Sequence, residues 1–196
     1  MFSDDTSTVF RDVITLALAG FVAVVILLLP WVNPPGTKEE SKGNPPGDVI
    51  FEATWPDEFD TDVDQWVAAP GDVPVGYSNK GGLICNLLRD DLGHYSDPLE
   101  VNHEITVCRG IQTAGEYAIN LHLYRNGTRT LPIPVYLKVS VRSPEGNTRE
   151  VLRTRATLNR VGREITVVRF KLTENGTLVT DSVHSLYRPL RRFGSS

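Results

Sequence analysis

Asp12 stands directly before a run, Val13 to Val32, whose only non-apolar members are Thr15, Gly20 and Pro30. An ionised Asp costs about 2.5–3.5 kcal/mol at the centre of a membrane helix on insertion scales, and less at the rim, where its side chain reaches headgroups. A carboxylate in this place is either the hydrated end of an anchor, paired with Arg11, or a group that carries protons. Thr15, Ala19 and Ala23 follow Asp12 at i+3, i+7 and i+11 and share its helix face. A stripe of small residues below a carboxylate lets a helix pack closely against other helices.

A second acidic constellation lies in "WPDEFDTDVDQWVAAPGD", where Asp60, Asp62 and Asp64 occupy alternate positions. On a strand the three would project from one face about 7 Å apart. Left unpaired they repel one another, and Ca²⁺ or a row of arginines would relieve the repulsion. The spacing begins like an EF-hand loop but lacks the Gly at the sixth position and the closing Glu. The other readings are an exposed acidic edge or pairing with basic strands later in the chain.

Cys85 and Cys108 are the two cysteines. In an oxidising compartment they would close a loop of two dozen residues, for about 3 kcal/mol. Reduced, they would be small buried hydrophobes, and the sequence leaves both states open. The four histidines, His94, His103, His122 and His184, lack metal-ligand spacing. His122 falls on the more polar face of its strand and is expected to face solvent. With no Gly-rich phosphate loop, Gly-x-Ser-x-Gly elbow, His-Glu-x-x-His or Cys-x-x-Cys, no enzyme is expected. Nor do basic and aromatic residues interleave as nucleic-acid binding requires.

The elements that must position these groups follow from patterning. A chain of 196 residues holds one ordinary domain and a membrane segment. Val13 to Val32 spans about 30 Å as a helix, the thickness of the hydrocarbon core. The acidic start (Asp4, Asp5) and the lack of a small-residue cleavage site in "PWVNPPG" argue for a retained anchor rather than a signal peptide. The expected organisation is a short cytoplasmic tail (1–11), a transmembrane helix (12–32), a Pro/Gly-rich linker (33–47), a periplasmic domain (48–187) and a basic C-terminal tail (188–196). From Asp48 onward apolar residues alternate in short runs broken by Gly, Asn and Pro, which predicts an all-β, antiparallel β-sandwich. Asn126-Gly127 and Asn175-Gly176 mark hairpin turns, the first between the two longest strands.

The net charge of −4 hides an asymmetry: residues 1–100 carry 17 acidic and 5 basic side chains, residues 101–196 carry 7 and 15. Acidic and basic strands neighbouring each other in one sheet system account for this. A basic face aimed at anionic headgroups or cell-wall polymer is the alternative.

Phe10, Asp12, Val13, Leu18 and Phe21, in the pattern F-x-D-V-x-x-x-x-L-x-x-F, resemble the single membrane helix of the ExbD/TolR proteins and, more loosely, of MotB. The resemblance covers residues 8–34. It implies an inner-membrane helix, paired with a second copy inside a ring of ExbB/TolQ/MotA-like multi-span subunits, with Asp12 carrying the protons that drive a transport or motor complex. The remainder of the chain departs from the small α/β domain of that family. Instead Trp55, Asp62, Asp64, Trp66, "AAPGD", "VGYSN", "RDDLG" and "GEYAINLHLY" resemble a little-characterised family of bacterial β-sandwich domains over residues 50–142, with Gln65 where that family carries an apolar residue. Two functions are thus in play: a proton-driven complex, or an inert anchor holding a periplasmic module that binds cell wall, polysaccharide or protein, with Ca²⁺ at Asp60, Asp62 and Asp64.

Overall fold

In a computed structural model the residues described are 4–32, 48–94, 101–109, 114–143 and 146–191. The expected linker, 33–47, lies outside them. The chain divides into two units, residues 1–43 and 44–196.

Among the described residues the first unit is one helix, α1 (Asp4–Val32), which is already helical at Asp4 rather than from Asp12. Its apolar stretch, Thr8–Leu28, has a mean hydropathy of 2.2 and the length of a membrane anchor or signal sequence. Every described side chain of that stretch is exposed.

In the second unit the period-two alternation becomes nine strands among the described residues: β1 (Val49–Thr54), β2 (Thr61–Ala68), β3 (Cys85–Arg89), β4 (His103–Cys108), β5 (Gly115–Asn126), β6 (Ile133–Arg142), β7 (Thr148–Leu158), β8 (Glu164–Leu172) and β9 (Leu178–His184). They form the expected antiparallel sandwich. One sheet runs β3-β4-β1-β6-β7 and the other β2-β5-β8-β9. The inward faces meet in a core built on Phe51, Tyr117 and Phe170, where Tyr117 lies 5.7 Å from each of the other two rings. Acidic and basic strands are neighbours: Glu52 of β1 holds Lys138 of β6 at 2.6 Å, and Glu116 of β5 holds Arg169 of β8 at 2.7 Å.

The two Asn-Gly signals have different outcomes. Asn175-Gly176 makes the tight hairpin β8–β9, closed by Thr173 N–H donating to the Thr177 carbonyl, with Gly176 at φ +67°. Asn126-Gly127 does not make a hairpin. β5 pairs with β2 and β8, while β6 pairs with β1 and β7, so the chain arches from one sheet to the other. The arch is held from outside the turn. Gly127 N–H donates to the Asp60 carbonyl, and the Asn126 side chain bonds Arg129 N–H and the Thr130 carbonyl.

The C-terminal segment is also part of the fold. Leu190 is fully buried beside Trp66, Ala68 and Ala118 on the outer face of the β2-β5 sheet. The Asn120 side chain donates to the Arg188 carbonyl and to Glu164, which also accepts from Leu190 N–H. Residues 188–191 therefore belong to the sandwich rather than to a separate tail.

Candidate functional site: an acidic edge between the sheets

β2 is an edge strand of its sheet, and β3 and β4 form one edge of the other, so these three strands flank one side of the sandwich. The β2 register places Val63 and Val67 inward and Asp62 and Asp64 on the opposite face, the latter directly across from His122 of β5. β4 carries its polar residues inward: Glu104 lies opposite Ala53 and Thr106 opposite Phe51, both of β1. Asp90 follows the last residue of β3. One oxygen each of Asp64, Asp90 and Glu104 lie within 4.8 Å of one another.

A neighbour fixes one oxygen of each carboxylate. Asp64 Oδ2 is 2.7 Å from His122 Nδ1, Asp90 Oδ2 is 2.9 Å from Lys80 Nζ, and Glu104 Oε2 accepts the Gln65 backbone N–H. Burial, then the charge of Asp64, raises the Glu104 carboxyl well above its ordinary range. Burial likewise raises Asp64, and His122 opposes the shift in part. Asp62 is pushed up to about 7, by burial first and then by the charges of Asp64 and Asp90.

The expected trio is not assembled as read. Asp60 precedes β2 and binds Arg125, with oxygens 2.7 and 3.0 Å from the guanidinium. That hydrogen bond, against a smaller effect of burial, holds Asp60 below its ordinary range. Asp60 thus turns away to Arg125, Asp64 joins Asp90 and Glu104, and Asp62 is buried on the same strand outside that trio. His122 is buried rather than solvent-facing, because the C-terminal segment and the loop bearing Tyr77 cover that face of its sheet. Cys85 and Cys108 are joined in a disulfide across directly paired positions of β3 and β4, with Cα atoms 4.0 Å apart. A buried disulfide argues for an extracytoplasmic domain.

Asp90 and Glu104 were not singled out from the sequence. "RDDLG" is one of the stretches that carry the resemblance to a sandwich domain, which gives no role to Asp90. In "HEITVC" the natural period-two reading turns Ile105 and Val107 inward and Glu104 outward, the reverse of what is found.

Gln65 is the cost of this edge. It is fully buried between Val63 and Val67, opposite Leu121, and neither polar atom of its carboxamide has a hydrogen-bond partner. Such atoms cost about 1–3 kcal/mol each time they are left unpaired. Gln65→Leu is expected to stabilise the protein by about 1–2 kcal/mol, seen as a higher denaturation midpoint at unchanged m. An equal or lower midpoint means that the carboxamide is satisfied in solution.

At the other unit, Asp12, Thr15, Ala19 and Ala23 are all exposed along α1. Thr15 Oγ1 donates to the Arg11 carbonyl at 2.8 Å rather than to Asp12. Comparison of the chain with protein families, curated proteins and solved structures finds no match. The chain is described by its own architecture: an exposed apolar helix and a disulfide-bonded β-sandwich with an acidic edge.

Proposed function

We propose that this chain is an inner-membrane subunit of a proton-driven transport or motor complex, with Asp12 as its proton carrier and the sandwich on the periplasmic side as the part that transmits force or holds a partner. The observation that carries this reading is the position of Asp12. It stands at the head of the apolar run Val13 to Val32, within an unbroken helix that is already formed at Asp4, and shares a face with Thr15, Ala19 and Ala23. An anchor gains nothing from a carboxylate there, whereas a carboxylate in a dry, protein-lined pocket can take up and release protons. Arg11 is adjacent in sequence but turned roughly 100° away around the helix, so it does not share the face of Asp12 and the small residues. The disulfide supports an oxidising location for the sandwich. The partner on this reading is an ExbB/TolQ/MotA-like multi-span protein surrounding a pair of these helices.

The test is co-expression with an ExbB/TolQ/MotA-like multi-span protein, followed by reconstitution in liposomes and a dye-based assay of proton entry. Wild type and Asp12→Asn are expected to co-purify with the partner equally, while Asp12→Asn loses proton flux by at least about tenfold and Asp12→Glu retains part of it. If Asp12→Asn conducts like wild type, or the chain extracts alone, the proton-carrier reading is wrong. The acidic edge of the sandwich favours a second reading, an inert anchor with a binding module, under which the Asp12 variants are silent.

A further inference from the structure

We propose that Asp64, Asp90 and Glu104, flanked by Asp62, form a Ca²⁺ site that staples the two sheets together at the β2/β4 edge of the sandwich. This does not rest on the proton-carrier reading, since the site lies wholly within the second unit.

Three observations converge on it. First, the carboxylates come from both layers: Asp62 and Asp64 from β2 of one sheet, Glu104 from β4 of the other, and Asp90 from the end of β3 beside it. Second, two of the oxygens not fixed by neighbours are orphaned. Asp90 Oδ1 and Glu104 Oε1 are buried without a hydrogen-bond donor, although the two carboxyl groups are hydrogen-bonding neighbours. Two acceptors facing each other in a buried place need a proton or a cation between them. Third, outside the close trio, Asp62 is 6 % exposed, its Oδ1 also lacks a partner, and the strongest charges acting on it are Asp64 and then Asp90. It is a further buried acceptor on β2, outside the trio whose oxygens lie within 4.8 Å of one another.

The donor set selects the ion. Every available ligand atom is a carboxylate oxygen, the choice of a hard cation rather than zinc or copper. Oxygens within 4.8 Å of one another fit around an ion at Ca²⁺–O distances of 2.3–2.6 Å. His122, Lys80 and the Gln65 N–H each hold one oxygen of Asp64, Asp90 and Glu104 and so orient the carboxylates, the role of an outer shell in a metal site. Lys80 bridges Asp90, Arg125 and Arg191 act on Asp62 and Asp64 from further off, and Arg89 is taken by Asp91, so no cation bridges Glu104 among the described residues. An extracytoplasmic domain meets Ca²⁺ at concentrations that fill sites with dissociation constants of about 10⁻⁴–10⁻³ M.

The experiment is thermal melting of the full-length protein in detergent at neutral pH, after chelator treatment, with and without 10 mM CaCl₂. For a dissociation constant of about 0.1 mM the wild-type midpoint is expected to rise by roughly 5–10 °C on adding Ca²⁺. Glu104→Gln and Asp90→Asn should each abolish that rise. In chelator, Glu104→Gln should melt at or above wild type, because the amide can donate to Asp90 and repulsion is removed, so the lost response cannot be blamed on misfolding. Absence of a Ca²⁺-dependent shift in the wild type, or its survival in both variants, overturns the proposal and leaves a proton shared between Asp90 and Glu104. Mg²⁺ is the size control: a shift equal to or larger than that with Ca²⁺ overturns the assignment to the larger ion.

Discussion

Cys85→Ala/Cys108→Ala is expected to lose about 3 kcal/mol, a fall of roughly 10 °C in the melting midpoint of a domain of this size. The bridge closes a loop of 23 residues between directly opposed positions. In the chain-entropy account, opening such a loop in the unfolded state costs somewhat more than 3 kcal/mol at 25 °C. The location adds to the effect. β3 is a five-residue edge strand whose one neighbouring strand in the sheet is β4, so the bridge ties the edge strand to the rest of its sheet. Both cysteines are buried, and alanine keeps the site apolar, which confines the loss mainly to the cross-link. Because β3 delivers Asp90, the same variant should also weaken any response to Ca²⁺. Melting in the presence and absence of a thiol reductant supplies the check. A wild-type midpoint indifferent to reductant, together with an unchanged double variant, would show that the cross-link contributes nothing.

What could be read from the chain was what local rules determine. The apolar stretch of α1 and the alternation of β1, β5, β6, β7 and β8 were visible because a helix stripe and a half-buried strand write their periods directly into the sequence. Asn175-Gly176 was legible as a hairpin because its flanking strands pair with each other. Asn126-Gly127 carries the same dipeptide and was misread because its strands pair with distant partners, and dipeptide propensity contains no information about which sheet a strand joins. Asp60 shows how a one-residue boundary alters chemistry: β2 begins at Thr61, and the carboxylate just outside it turns to Arg125.

The acidic edge was harder still, for a physical reason. Glu104, Thr106 and Cys108 face inward, so polarity is inverted on β4 relative to the usual rule, and periodicity points the wrong way. His122 misled in the same manner. Its strand has a polar face, but the C-terminal residues Arg188 to Leu190 cover that face from some seventy positions further on. Trp66 presents a legible counterpart. It is fully buried, and Gly76 lies so close that a Cβ there would come within 2.3 Å of the indole, which accounts for a glycine in "VGYSN".

Asp72→Ala is expected to cost about 3 kcal/mol at neutral pH, although Asp72 is only partly buried and belongs to no strand. Its carboxylate accepts four backbone N–H groups: Oδ1 takes Val73 at 2.8 Å and Leu83 at 2.7 Å, and Oδ2 takes Ile84 at 3.0 Å and Cys85 at 2.9 Å. One side chain thus satisfies the turn that enters β3 and sets where Cys85 meets Cys108. Gly82 leaves it room, since a Cβ there would fall 2.5 Å from both carboxylate oxygens. Asn should be nearly as harmful as Ala, because its NH₂ would face two N–H donors. Burial raises the Asp72 carboxyl, but the four N–H bonds together outweigh it and hold the group below its ordinary value of 3.8. The sign of the pH effect follows from linkage. A carboxylate more acidic in the folded than in the unfolded chain contributes its full stability above about pH 4 and loses it as pH falls through the folded value. Wild type and Asp72→Ala should therefore differ by a constant amount from about pH 5 to 8 and converge below pH 4, in denaturant titrations at each pH. Glu52, Asp60 and Glu116 are also held below their ordinary range and steepen the acid limb of both proteins alike, so they cancel in that difference. A difference that stays constant to pH 2 would mean that Asp72 acts through packing rather than through its charge, and the account of the β3 entry would have to be rebuilt on the neutral contacts of that turn.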